Sequence, residues 1–386
     1  MLRMTMSRMN RSFLSLVLAL LVTGAAAQAG PEEPSAQDYE VWALDQGTNR
    51  IHILGSDFAE REVIDLEGVA DLPHMIDFSS DFAYAFIASV ASGNTLVMRT
   101  EDREVVATLE TGPGTHMASV SRDDRIIVDV LGNAEGAGAS LVEIVFDRDA
   151  ESFTIGRSLV ITEDPLFADL AGAGHLGRPV CHDYSADGRY AYVTLGPALT
   201  DGVLVVLDVD SFTLAHVFDP EEIRANCGTM LSPDGRVMFV NGGSLEEGHW
   251  YAFDPETFEL LHQDSSRGND AHGVWFTPDG SELWMVNRAS SNAIIIDPES
   301  FAVIAEIDFV GRSPDILTIA PDSSYTFITL RGPNQRSGPH AIAGDTPGVA
   351  VIDVSSRELV QLIEPAPDDE RSDFHGIGLR PIGSAD

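Results

Sequence analysis

From residue 39 onward the chain alternates short apolar runs with tight polar turns. The stretch "NDAHGVWFTPDGSELWMVNR" (269–288) shows the unit: an apolar run enters Thr-Pro-Asp-Gly and a second run follows at once. Asp-Gly between alternating apolar runs predicts a tight β-hairpin. A second hairpin follows in "NAIIIDPESFAVIAEIDF" (292–309), around Asp-Pro-Glu-Ser. The first turn recurs as Leu231-Ser232-Pro233-Asp234-Gly235 and Ile319-Ala320-Pro321-Asp322-Ser323. Looser copies stand at 184–188, 120–124 and 78–81, and "HGIGLRPIG" (375–383) is a truncated seventh. No long helical period appears after residue 30.

Four antiparallel strands repeating at this interval are the signature of propeller blades. Six complete units begin near residues 74, 116, 182, 227, 272 and 315. The N-terminal stretch 39–67 supplies three strands without a first, and "FHGIGLRP" supplies a first strand without the other three. Joined, they make a seventh blade and leave no open sheet edge between the ends. The expected fold is all-β: a seven-bladed β-propeller over residues 39–386, closed by N-terminal strands and a C-terminal strand.

After the turns stand Tyr192-Val193-Thr194-Leu195, Phe239-Val240-Asn241 and Met285-Val286-Asn287. These resemble the Tyr-Val-Thr-Asn signature of the YVTN-type propeller repeats. That resemblance implies the fold. It leaves function open, because related propellers serve as lactonases, haem d1 carriers, copper enzymes and binding scaffolds.

Residues 1–29 read as a secretory signal: Arg3, Arg8 and Arg11 precede an apolar run from Phe13 to Val22, and Ala27-Gln28-Ala29 fits a cleavage site. Residues 30–38 read as a linker. Ten apolar residues are too few to span a bilayer, so the expected location is periplasmic or secreted, with no membrane span after cleavage. The net charge of −38 excludes nucleic acid as a partner. All 23 basic residues are arginine, which removes Schiff-base lysine chemistry and lysine-bearing phosphate loops. In an oxidising compartment the default for Cys181 and Cys227 is one disulfide.

A second pattern overlies the turns. The residue five places before each turn's Ser/Thr/Ala is, unit by unit, His74, His116, Val180, Cys227, His272, Asp315 and His375. Chance would place about 0.2 histidines in seven such slots. The third unit has His182 two residues further on, one pleat along and therefore expected on the same side of its strand. First strands line the central channel of a propeller, so these residues are expected around one mouth. The long connections 162–180 with His175, 331–349 with His340, and 363–374 fall on the same face, as does His249. Long loops carry function.

Imidazole, thiolate and carboxylate converging from separate strands suit a transition metal. The candidate ligands are His74, His116, His182, Cys227, His272, Asp315 and His375, and the resemblance to copper-binding propellers favours copper. The competing reading is a buried histidine that hydrogen-bonds one blade to the next. Arg288 and Arg331 each stand nine residues after a turn aspartate, where a hairpin returns them beside His272 and Asp315; they are candidates for an anionic substrate group. Asp71 and Asp183 are candidates to orient imidazoles from behind. The functional expectation is redox chemistry or metal handling, with a small-molecule or anionic substrate at the mouth or a periplasmic redox partner. A metal-free interaction scaffold, or a lactonase- or lyase-like enzyme with a histidine base, is the alternative.

Overall fold

The computed structural model describes residues 38–196, 202–337 and 342–383. Seven four-stranded antiparallel sheets are formed, six of them with their strands in sequence order. Their innermost strands are Pro73–Phe78, Thr115–Val120, Arg178–Tyr184, Thr229–Leu231, Ala271–Phe276, Pro314–Ile319 and Phe374–Ile382, which we number as blades 1 to 7. Blade 7 is composite: Phe374–Ile382 pairs with Asp38–Asp45, which pairs in turn with Arg50–Gly55 and then Glu60–Asp65. The sheets thus form the seven-bladed propeller, closed by the two ends of the chain. The predicted signal and most of the linker lie outside the described residues, as does His340.

Burial explains why the sequence reads as it does. A middle strand is covered by a blade on either side, so Leu283–Asn287 and Val203–Asp208 are almost wholly apolar and buried. The outermost strands face water, and Ala302–Ile307 alternates between exposed and half-buried positions. Seven apolar clusters fill the spaces between sheets, typified by Trp284, Ile295, Leu317, Ile328 and Ala350 between blades 5 and 6. The hairpin turns close as expected: the Ser232 hydroxyl donates to Asp234, and Gly235 takes positive φ while its N–H donates to the Ser232 carbonyl. Asp124 and Ser323 occupy that left-handed position where the repeat lacks glycine. A short helix, Ala168–Gly172, lies in the long connection before blade 3.

What positions the axial side chains is a repeated irregularity. In blades 1, 2 and 3 the inner ladder slips by one residue, and the extra residue is His74, His116 or Val180. In blades 5, 6 and 7 the slip falls within His272–Gly273, Asp315–Ile316 and His375–Gly376. Blade 4 begins its regular ladder only at Thr229, after Cys227. A bulge re-aims a side chain and frees its backbone from the ladder. The inner strands then pack so closely that a Cβ on Gly273 would sit 2.4 Å from the Asp315 carbonyl, and one on Gly376 2.4 Å from that of His74.

Gly273→Ala should therefore destabilise the protein by about 1–3 kcal/mol through overpacking. Gly172→Ala, which meets nothing within 4 Å, should change stability by no more than about 0.5 kcal/mol. Thermal denaturation of the two variants checks this; equal Tm values would contradict the close-packing account.

Candidate metal centre on the propeller axis

The bulged residues meet on the axis. His74, Cys227, His272, Asp315 and His375 are buried, while His116 keeps partial contact with solvent. The core of the group is Asp315, which is fully buried. Its Oδ1 lies 2.8 Å from His272 Nε2 and accepts from Arg288 Nη1 at 3.2 Å. Its Oδ2 accepts from Arg331 Nη1 at 2.7 Å and lies 3.6 Å from His375 Nε2. Burial alone would raise the Asp315 carboxyl, but the cationic neighbours outweigh it and hold the group well below the usual range. His272, Asp315 and His375 offer ligand atoms that all lie within 4.8 Å of one another.

Hydrogen bonds fix which nitrogen each imidazole turns to the axis. His116 Nδ1 contacts the Val180 carbonyl at 2.7 Å, and His375 Nδ1 contacts the His74 carbonyl at 3.1 Å. A carbonyl only accepts, so both Nδ1 atoms carry the hydrogen. His74 Nδ1 contacts Gln46 Oε1 at 2.9 Å, and the amide is locked in that sense because Gln46 Nε2 donates to Asp373 at 2.9 Å. Three rings therefore present an unprotonated Nε2 inward. Burial lowers the affinity of all three for a second proton: His74 and His375 are held well below the ordinary imidazole value, and His116 at about 4. His272 is the exception: its Nε2 faces the ionised Asp315 carboxylate at 2.8 Å, which only accepts, so Nε2 carries the hydrogen and Nδ1 accepts from the Cys227 thiol.

The predicted residues are not all brought together. His182 points away from the axis, into the seam with blade 2, where its Nδ1 meets Asp129 Oδ2 at 2.6 Å. Counting by twos from Val180 crosses a bulge, and two consecutive residues then oppose one partner, so the faces exchange. Cys181 and Cys227 are both free thiols, in contrast to the expected disulfide. Thr194 Oγ1 bridges the two strands by bonding both cysteine carbonyls, and burial pushes both thiols well up. Arg288 and Arg331 are buried and turned to carboxylates: Arg288 to Asp270 and Asp315, Arg331 to Asp373 and Asp315. An anionic substrate would have to displace one of these acids to reach them. Asp183 accepts from the N–H of Tyr184 and of Leu231 in blade 4, so it latches blades rather than orienting an imidazole. Asp71 is exposed.

Sequence reasoning missed Gln46, Asp270 and Asp373. Asp373 accepts from Arg331, Gln46 and the backbone N–H of Gly332 and Arg336. A signal was present: both acids stand two residues before an axial histidine, in Asp270-Ala271-His272 and Asp373-Phe374-His375. His175 and His249 do share a place, lining a 630 Å³ cavity with Arg224, Asn226 and Glu247. Of its lining residues, Asn226 precedes Cys227 in the chain, and none belongs to the axial group itself.

No family model matches the chain, and no curated protein does. Among solved structures it is similar in fold to hydrazine synthase from Kuenenia stuttgartiensis, with 13% identity and a TM-score of 0.61 over 80% of this chain and 90% of that one. It is likewise similar to the dihydro-heme d1 dehydrogenase NirN in complex with DHE, with 14% identity and a TM-score of 0.55 over 88% of this chain and 74% of that one. A protein of unknown function from Desulfotomaculum acetoxidans gives 14% identity and a TM-score of 0.62 over 88% and 98%. No helix among the described residues is long and apolar enough to cross a membrane. What these likenesses share with this chain is the propeller fold.

In the metal-free protein His116 should titrate at about pH 4 rather than near 6.5. Because its folded value is depressed, its contribution to stability is present above pH 6.5 and lost as pH falls through 4. Histidine NMR titration reads this directly; a midpoint above 6 would contradict the burial argument.

Proposed function

We propose that this chain is an exported metalloprotein of the YVTN-type propellers that holds a transition metal, copper in preference, at the channel mouth and acts in redox chemistry or metal handling. The observation that carries the reading is the convergence of His272, Asp315 and His375 beside imidazoles whose Nδ1 atoms are bonded to carbonyl or amide oxygens. Outer-shell bonds that pin Nδ1 to a carbonyl or amide are how metal-ligating histidines are oriented. Neutral imidazole suits copper, zinc, iron and nickel, and divalent copper binds such donors most strongly. Export rests on the arginine-flanked apolar run at residues 1–29. Arg288 and Arg331 serve this site by fixing the Asp315 carboxylate, and the His175–His249 cavity is the place for a small substrate or for a redox partner to approach.

One observation favours a second reading. His272 stands between the Cys227 thiol and the Asp315 carboxylate, an arrangement that would serve a metal-free histidine base. Activity that persists in chelator would select it.

Protein purified without a histidine tag should carry copper at pH 7.5, measured by elemental analysis, and His375→Ala and His272→Ala should each lose the ion of the His272–Asp315–His375 position with the fold retained by circular dichroism. Asp315→Asn is a poor probe, because removing one member of a buried ionic group costs about 3–5 kcal/mol. Wild-type protein that takes up no metal above pH 7 would end this reading.

A further inference from the structure

The axial group has two parts. His272, Asp315 and His375 form the first. His74 and His116 form the second, facing each other Nε2 to Nε2 at 2.9 Å. With Gln46 and the Val180 carbonyl each accepting an Nδ1–H, the two rings, when neutral, face each other through bare nitrogens. Two lone pairs at that distance repel unless a cation lies against both, and that cation is either a shared proton or a metal ion. The separation matches two neighbouring ligands set at about a right angle with metal–nitrogen bonds of about 2.0 Å. The pair is distinct from the first part: His116 and His375 have ring centroids 6.3 Å apart. It is also adjacent, for His74 stacks on His375 with centroids 3.5 Å apart and planes inclined by 28°.

Two further features suit a cation here. His74 is held through Gln46 by the Asp373 carboxylate, the kind of outer-shell relay that orients a ligand and raises its basicity. The three acids Asp270, Asp315 and Asp373 also outnumber the two guanidinium groups they bind, which leaves the axis one negative charge in surplus. His116, the ligand with solvent contact, puts this pair where an incoming ion arrives.

We infer that the axis holds two neighbouring transition-metal positions, with His74 and His116 ligating the second. The inference rests on the metal reading above and fails separately from it. The experiment loads the mature chain with Cu(II), dialyses it and measures copper per protein, with electron paramagnetic resonance on the same samples. Wild type should hold two ions per chain and show a spin-coupled spectrum with a half-field signal. His116→Gln should hold one ion and lose the coupling, as should His74→Gln, and circular dichroism confirms that each folds. Wild-type saturation at one uncoupled ion would overturn the second position, leaving a shared proton between His74 and His116, while the first position stands. Saturation at zero would overturn both. Retention of two ions by both variants would show that the second ion sits elsewhere, which also overturns the inference.

Discussion

Where the inner strands leave the regular ladder they lose hydrogen bonds, and at five of the seven blades the carbonyl there accepts instead from the preceding blade. The His272 carbonyl receives Asn241 Nδ2, the Cys227 carbonyl Thr194 Oγ1 and the His375 carbonyl Thr329 Oγ1. The Val180 and His74 carbonyls receive imidazole Nδ1–H from His116 and His375. A buried carbonyl without a donor is expensive, so this clasp ties blade to blade around the ring. It has a chemical consequence. A hydroxyl or amide that makes the clasp is then satisfied, but an imidazole has a second nitrogen, and the clasp strips that nitrogen of its hydrogen. The blade-linking role of histidine and the metal-ligating role are therefore two ends of one ring.

The same geometry explains the buried charges. Asp315 replaces histidine in blade 6, and an isolated carboxylate at full burial would be protonated or ruinous. Arg288 and Arg331 make it an anion, and Asp270 and Asp373 balance the arginines in turn. This five-residue ionic group spans blades 5, 6 and 7 and sets the potential at the axis. It holds Asp315 ionised beside His375, which burial holds neutral, the protonation states a metal requires of its ligands.

Most of the fold was legible. Asp-Gly turns at a blade-length interval, and incomplete units at both ends, led directly to seven blades and to their closure, because hairpin chemistry and apolar alternation are local. The slots holding His74, His116, Cys227, His272, Asp315 and His375 were legible for the same reason: each sits at a constant distance from its turn. His182 was misread because a bulge leaves no mark in a single strand's sequence, yet it exchanges the faces beyond it. The disulfide was misread because compartment says nothing of geometry, and Thr194 occupies the space between the two strands as a hydrogen-bonding spacer. Arg288 and Arg331 were found, but their partners Asp270 and Asp373 stood among 61 acids, where only register with the axial histidines distinguishes them. The tautomers, on which the chemistry turns, depend on Gln46 and on carbonyls of neighbouring blades, contacts that no local pattern encodes.

The claim at the centre is that His74, His116 and His375 turn unprotonated Nε2 atoms to a common axis. Nitrogen-15 chemical shifts of the histidine rings in metal-free protein at pH 7.5 measure this directly. All three should be neutral Nδ1–H tautomers, with Nε2 resonances in the unprotonated range that move when copper is added. An Nε2–H tautomer at His116 or His375, or Nε2 shifts indifferent to copper, would contradict the account.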